Sequence, residues 1–441
     1  MKPAYCGIAA AAVVAVASTC TSVAFGARLV SVGYRSPAAL HGLRVVQRVP
    51  ALRTAEVRMR DRRAERALRA RPGIRFVQRV VQRAETGGPI LPAAASTTVP
   101  EWQWTAMHAD QVPPSVLQQA AGVTIAVIDT GADVTVPTIA AKHPITYNVT
   151  TGSSLVQDVV GHGTFVASLA GGANSDPSGM TGLGGDAQLM IVQANRGGTG
   201  FSDADEASAI VWAVDHGAKI VNLSFGGAQT SLVERSAVEY AISHGVLLVA
   251  AAGNTAEDGS PTFYPAALIG RRGLVVGAST AGGARAPFST TGPYVDVLAP
   301  GVDVLGALAG GIPGDFFSPA STPGATGSYG FGSGTSYAAP EVAGAAALVW
   351  AANSTLDAAG VAAVIEESAS GRGLWTRELA FGTVDTAAAV QRAVGGVPLD
   401  RTPTTAPARA KSSKPKARPA RVRTLTAKTA RAEELAHERP H

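Results

Sequence analysis

Cysteine is nearly absent: the 441 residues contain two, Cys6 and Cys20. Both lie in the first 27 residues, so a chain that loses this segment has no disulfide framework and must hold by core packing or by bound ions. Lysine is missing from residues 28–85, where fifteen Arg meet only four acids for a net charge of +11. Beyond the N-terminus no apolar run approaches the ~20 residues that span a bilayer, so the sequence offers no membrane anchor. A complete oxygen-ligand pattern for a metal is also lacking. Asn174, Ser175 and Asp176 form a polar loop but no ligand set, so no metal is assigned and no cofactor is expected to be required.

What is present divides the chain into five parts. Lys2, the apolar run of residues 8–17 and the small residues through Gly26 and Ala27 have the form of a secretory signal, predicting export and cleavage between Ala17 and Ala27. The weaker alternative is a lipoprotein-type cut before Cys20. Residues 28–83 alternate as strands over 28–34, 43–49 and 51–59, a helix over 60–71 that stops at Pro72-Gly73, and a strand over 74–81. Residues 86–100 are rich in Gly, Pro, Ala and Thr without periodicity and read as a linker and processing region. Residues 101–396 form the main domain. From 397 onward Pro, Ala, Thr, Lys and Arg dominate, which predicts a disordered basic tail.

The net charge of +5 conceals a partition, because residues 28–85 carry +11, residues 400–441 carry +7 and residues 86–399 carry −14. The basic charge lies in the flanks and the main domain is acidic, which argues against nucleic acid as a partner. The tail is suited to contact an anionic surface polymer.

Within the main domain, apolar strands are expected at 123–129, 188–194, 219–225, 246–252 and 274–278, with helices at 202–216 and 232–244. Continuous apolar strands between amphipathic helices predict an α/β domain with a mostly parallel sheet covered on both faces, in three layers. Asp129, the segment 224–227 and Asn254 fall at the carboxyl ends of these strands, where open parallel sheets place their ligand sites.

Three segments supply an acid, a base and a nucleophile in the order Asp, His, Ser: residues 125–131 with Asp129, residues 161–167 with His162, and Gly334-Thr335-Ser336-Tyr337-Ala338-Ala339-Pro340. Taken singly each has a plainer reading. Asp129 could be a turn residue, His162 structural, Ser336 a helix cap and Asn254 part of a turn. Jointly they predict that Ser336 is a nucleophile, that His162 takes and returns its proton, and that Asp129 fixes the imidazole. A helix is expected to begin at or near Ser336, with Pro340 in its first turn, where a missing N–H is harmless.

In this order and spacing the three segments resemble the subtilisin-like serine peptidases, the subtilases. The resemblance covers residues 100–395 strongly and 28–83 weakly. It implies a secreted endopeptidase that cleaves polypeptides through an acyl-enzyme, with Asn254 as an oxyanion donor. It also implies that residues 28–85 are a propeptide, acting as intramolecular chaperone and inhibitor. The segment of Ser224, Phe225 and Gly226 resembles the subtilase strand that pairs with an extended peptide. Ala252 and Gly253 would face it across the first side-chain pocket. Phe225 would then favour apolar substrate side chains, unless it is simply core. Family members often bind calcium, which remains unassigned here, and a monomer is expected. A dedicated maturation peptidase of narrow range, like the mycosin-like subtilases, is the alternative. An inactive surface-binding protein is a second one. Ala132, Phe165, Tyr337 and Glu341 depart from common family residues, and residues 310–329 look like an inserted loop.

Overall fold

Apolar residues alternate along Arg28–Tyr34 (β1), where Val30, Val32 and Tyr34 are buried, and this strand is the spine of the N-terminal module. It pairs antiparallel with Thr54–Met59 (β3) on one side and Ile74–Arg79 (β4) on the other. Arg44–Val49 (β2) closes the order β2-β3-β1-β4. The helix Arg62–Arg69 (α1) starts at Asp61, whose carboxylate accepts from Ala64 N at 2.8 Å, and turns Leu68 into the module core. The computed structural model describes residues 28–86, 101–174, 180–196, 200–311, 317–320, 329–371 and 382–395. The expected leader, the linker after Thr86 and the basic tail lie outside the described residues.

After β4 the chain extends as Gln82–Glu85 (β5), and the main domain follows. Its strands are Thr124–Asp129 (β6), Ile145–Asn148 (β7), Gln188–Gln193 (β8), Phe201–Ser202 (β9), Ile220–Leu223 (β10), Phe225–Gly226 (β11), Leu247–Ala251 (β12), Leu274–Ser279 (β13) and Val297–Pro300 (β14). Val304–Ala307 (β15), Phe317–Ala320 (β16), Tyr329–Gly332 (β17) and Gly382–Thr383 (β18) complete the set. Eight of them form one sheet in the order β18-β14-β13-β12-β10-β6-β8-β7, and its pairings are parallel. The stretch expected to be an inserted loop contributes β16, which pairs antiparallel with β17.

Side chains alternate between two cores, as a pleat requires. Ile125 and Val127 of β6 join the core on one face, under His162–Gly171 (α2) and Thr335–Ala352 (α5). Ala126 and Ile128 join the other, under Asp203–Asp215 (α3) and Leu232–Ser243 (α4). Ala358–Ser368 (α6) and Thr386–Gly395 (α7) pack beside α5. Among the described residues no helix is long and apolar enough to cross a membrane.

The N-terminal sheet rests on α3 and α4. Ser31 Oγ donates to Asp203 at 3.0 Å, Gln47 Nε2 to Ser208 Oγ at 2.9 Å, and Leu232 N to Gln78 Oε1 at 3.2 Å. From this platform β5 runs to the carboxyl edge of the parallel sheet. There it becomes the middle strand of a second small sheet, in the order β11-β5-β9.

Candidate active site

Strand order reverses at β6, with β8 on one side and β10 on the other, and this switch point opens a crevice at the strands' carboxyl ends. Asp129 is the last residue of β6. Its Oδ1 accepts from Thr130 N at 2.8 Å and lies 2.8 Å from His162 Nδ1, and both side chains are fully buried. Asp158, which sequence reasoning missed, pins the loop that delivers the imidazole. It accepts from Gly161 N at 2.8 Å, Thr164 N at 2.7 Å and Thr130 Oγ1 at 2.9 Å. Gly163 cannot be replaced without moving backbone, because a Cβ there would lie 2.1 Å from Gly131 O.

Ser336 is the second residue of α5, so Pro340 is the sixth and stands inside the helix rather than in its first turn as the sequence suggested. The residue four before Pro340 is Ser336, whose carbonyl therefore has no helical N–H to accept. Ser224 Oγ supplies the missing donor at 2.8 Å, and in return Ser336 Oγ lies 2.8 Å from Ser224 O. The proline thus ties the serine to the end of β10.

Asn254 follows β12 through Ala252 and Gly253. Its Oδ1 accepts from Thr335 N at 3.0 Å and Thr335 Oγ1 at 2.9 Å, while the same hydroxyl accepts from Gly253 N at 3.1 Å. With Oδ1 held, the amide nitrogen must face the crevice. There it donates to the carbonyl of Thr86 at 2.5 Å.

Thr86, read from the sequence as the first linker residue, sits in this site. Its hydroxyl touches Ser336 Oγ, and its N–H donates to Ser224 O at 3.4 Å. Upstream, Glu85 is in register with Phe225 and Ala84 with Gly226, while Arg83 pairs with Phe201 and Gln82 with Ser202. Ser224, Phe225 and Gly226 therefore meet an extended chain through their backbone. The ring of Phe225 packs edge-on to Phe201 in the core, centroids 4.5 Å apart. The flanking strand β9 was not anticipated, because two residues before a helix carry no strand signal.

Electrostatics converge on the imidazole. Burial alone would lower the His162 pKa, but the Asp129 carboxylate overrides it and holds the value above the ordinary histidine range. Glu85 and Asp158 push the same way. Tyr337 lies beside His162, rings 5.7 Å apart, and burial drives its phenol pKa well up. Glu341 is fully buried on α5, where burial and then Glu101 raise its pKa far above the carboxylate range. Among the described residues no group of three His, Cys, Asp or Glu is placed to hold a metal, and Ser175 and Asp176 fall outside them.

Residues 120–394 match the subtilase family. The chain belongs to that family. Subtilases are serine endopeptidases, hydrolases of peptide bonds. The chain is 36% identical over 235 residues to a thermophilic serine proteinase of Bacillus sp. (strain AK1), covering 53% of each. It is 33% identical over 261 residues to subtilisin E of Bacillus subtilis (strain 168), covering 56% of this chain and 60% of that one. The subtilase described here thus spans only part of the length of these relatives. Its fold is similar to that of fervidolysin from Fervidobacterium pennivorans, a keratinolytic enzyme, with TM-score 0.68 and 26% identity over 85% of this chain and 62% of that one. The epidermin leader peptide processing protease of Staphylococcus aureus shares the fold at TM-score 0.67 and 18% identity, over 83% and 99% of the chains.

Three outcomes follow from this subtilase geometry. Thr335→Val removes one hydrogen bond that orients the Asn254 amide, and should lower kcat about tenfold with little change in KM, with Thr335→Ser restoring it. Asn254→Leu should cost about 10²–10³-fold, a magnitude taken over from subtilisin itself. A raised KM with intact kcat would instead make Thr335 a pocket residue. In a Ser336→Ala chain, Glu85→Gln should lower the His162 pKa, since the lost carboxylate favoured the imidazolium. Histidine proton NMR reads this, and an unmoved titration would mean that the Glu85 charge is screened.

Proposed function

We propose that this chain is a secreted serine endopeptidase made as a self-inhibited precursor, in which residues 28–86 are the inhibitory segment and Thr86–Gly87 is the first bond cut. One observation supports the reading: the Thr86 carbonyl accepts from the Asn254 amide while the Thr86 hydroxyl touches Ser336 Oγ. A chain held in an extended register with its carbonyl on a pre-oriented donor beside the serine is what a bound substrate would present.

In this reading Ser336 Oγ attacks the Thr86 carbonyl carbon and its proton passes to His162 Nε2. Asp129, bonded to Nδ1, holds the tautomer and stabilises the imidazolium. The carbonyl oxygen becomes an oxyanion held by Asn254 Nδ2 and a backbone N–H near Ser336. Collapse breaks the C–N bond to Gly87, His162 protonates the leaving amine, and Thr86 remains as an ester on Ser336. Water, deprotonated by His162, then releases the Thr86 carboxylate and regenerates the serine. The module stays bound after the cut through its sheet and β5, which makes it an inhibitor, and export rests on the signal-like residues 1–27.

A second reading, a processing peptidase of narrow range, is favoured by the full burial of Arg83 in the cleft, since a site that encloses a charged side chain discriminates strongly. Comparing hydrolysis of denatured casein with that of a panel of short peptides separates the two.

The wild-type chain should yield a product that begins at Gly87, whereas a purified Ser336→Ala chain should remain joined at Thr86–Gly87. N-terminal sequencing and intact mass decide this. A trimmed Ser336→Ala product in a protease-free preparation would assign the cut to another enzyme.

A further inference from the structure

Arg83 is one of fifteen arginines in residues 28–85, and it is unlike the others in where its charge goes. It is 1% exposed. Its Nε donates to Glu206 Oε2 at 2.9 Å, its Nη2 lies 2.5 Å from Glu234 Oε1, and its Nη1 donates to Gln229 O at 2.8 Å. Both carboxylates have no solvent exposure. Glu206 comes from the first turns of α3 and Glu234 from the first turn of α4, so the pocket is built where two helices start side by side. Thr230 Oγ1 donates to Glu234 Oε2 at 2.6 Å, which fixes that side chain, and Glu234 N donates to Ser231 Oγ at 3.0 Å, which caps the helix.

Two carboxylates buried face to face repel each other and are costly to desolvate. Burial and then Glu234 push the Glu206 pKa up to about 8 even with the guanidinium against it. Such a pair gains most from a planar cation that can meet both members and a carbonyl at once, which arginine does and lysine does not. The main-chain register makes the address definite. Thr86 offers the carbonyl to Asn254, and Arg83 lies three residues before it, between β9 and the segment after β11.

We propose that Glu206 and Glu234, with the Gln229 carbonyl, form an arginine-selective subsite, so that the mature enzyme prefers polypeptides with Arg four residues before the cleaved bond, counting back from it. The proposal rests on the reading of Thr86–Gly87 as a bond presented for cleavage, and extends it from the chain's own segment to substrates supplied in trans. Once the module leaves, the pocket faces the cleft with its two carboxyls unsatisfied, and an arginine at that position of any extended chain can enter.

The test uses the mature wild-type enzyme and quenched fluorescent peptides that copy residues 81–90, with Arg83 kept or exchanged for norleucine or lysine. Cleavage after the threonine should be about ten- to hundred-fold faster in kcat/KM for arginine than for norleucine, as expected for charge-assisted hydrogen bonds to a buried pair, with lysine between them. In a Glu206→Gln/Glu234→Gln enzyme the ratio of arginine to norleucine should fall towards one. Equal kcat/KM for arginine and norleucine with the wild-type enzyme would overturn the subsite, whatever becomes of the double variant, while leaving the peptidase intact. If no peptide is cut and a fluorophosphonate fails to label Ser336, the peptidase reading itself falls and takes the subsite with it.

Discussion

How closely backbones approach one another around α5 sets everything else in the domain. This helix is buried from Thr335 to Trp350, so it has no face on which to spend bulk. Seven of these sixteen positions are Ala or Gly, and at Gly344 a Cβ would lie 2.6 Å from Gly184 N and 2.8 Å from Ala170 O. With the helix seated at that distance, its first residues reach three other elements together. Thr335 meets the segment after β12, Ser336 meets the end of β10, and Tyr337 meets α2 beside His162. A bulkier helix would leave each of these partners displaced by a fraction of the distance that hydrogen bonds tolerate.

Much of this was legible in the residues. The parallel sheet follows from apolar runs between amphipathic helices, and the five strands predicted from them differ from their observed counterparts by only a residue or two at their ends, while β7, β14 and β18 were not anticipated. Asp129, Ser224 and Asn254 stand at strand ends, and the crevice gathers them because all these strands run the same way. In the N-terminal module, alternation and the Pro72-Gly73 stop locate β1, β2, α1 and β4 to within two residues and β3 to within three, because a half-buried antiparallel sheet writes its period into the sequence.

What stayed hidden has a common cause: it depends on a partner distant in the chain. Arg83 reads as one more solvated charge among many arginines. Glu206 and Glu234 lie near helix starts, where acids are common, and so draw no notice in the sequence. Only the docking of β5 shows that both carboxyls turn to a cation. The strand β9 exists because β5 lies next to it. Pro340 misled because a proline near a helix start is usually in the first turn. Here the carbonyl it leaves free is taken by Ser224, 112 residues away.

The sheet β11-β5-β9 carries a consequence for what can enter the cleft. Its outer strands are two residues each, and the middle one is on loan from the module. In the self-inhibited precursor proposed above, removal of β5 would leave two short edges facing each other across about 10 Å, twice the spacing of paired strands. A slot of that width has room for a single fully stretched chain and for nothing thicker. Helices, hairpins and packed loops are turned away by size, so a protein is open to attack only where several residues in a row can be drawn straight. On that proposal the cleft would sort its substrates by local unfolding before any side chain is read.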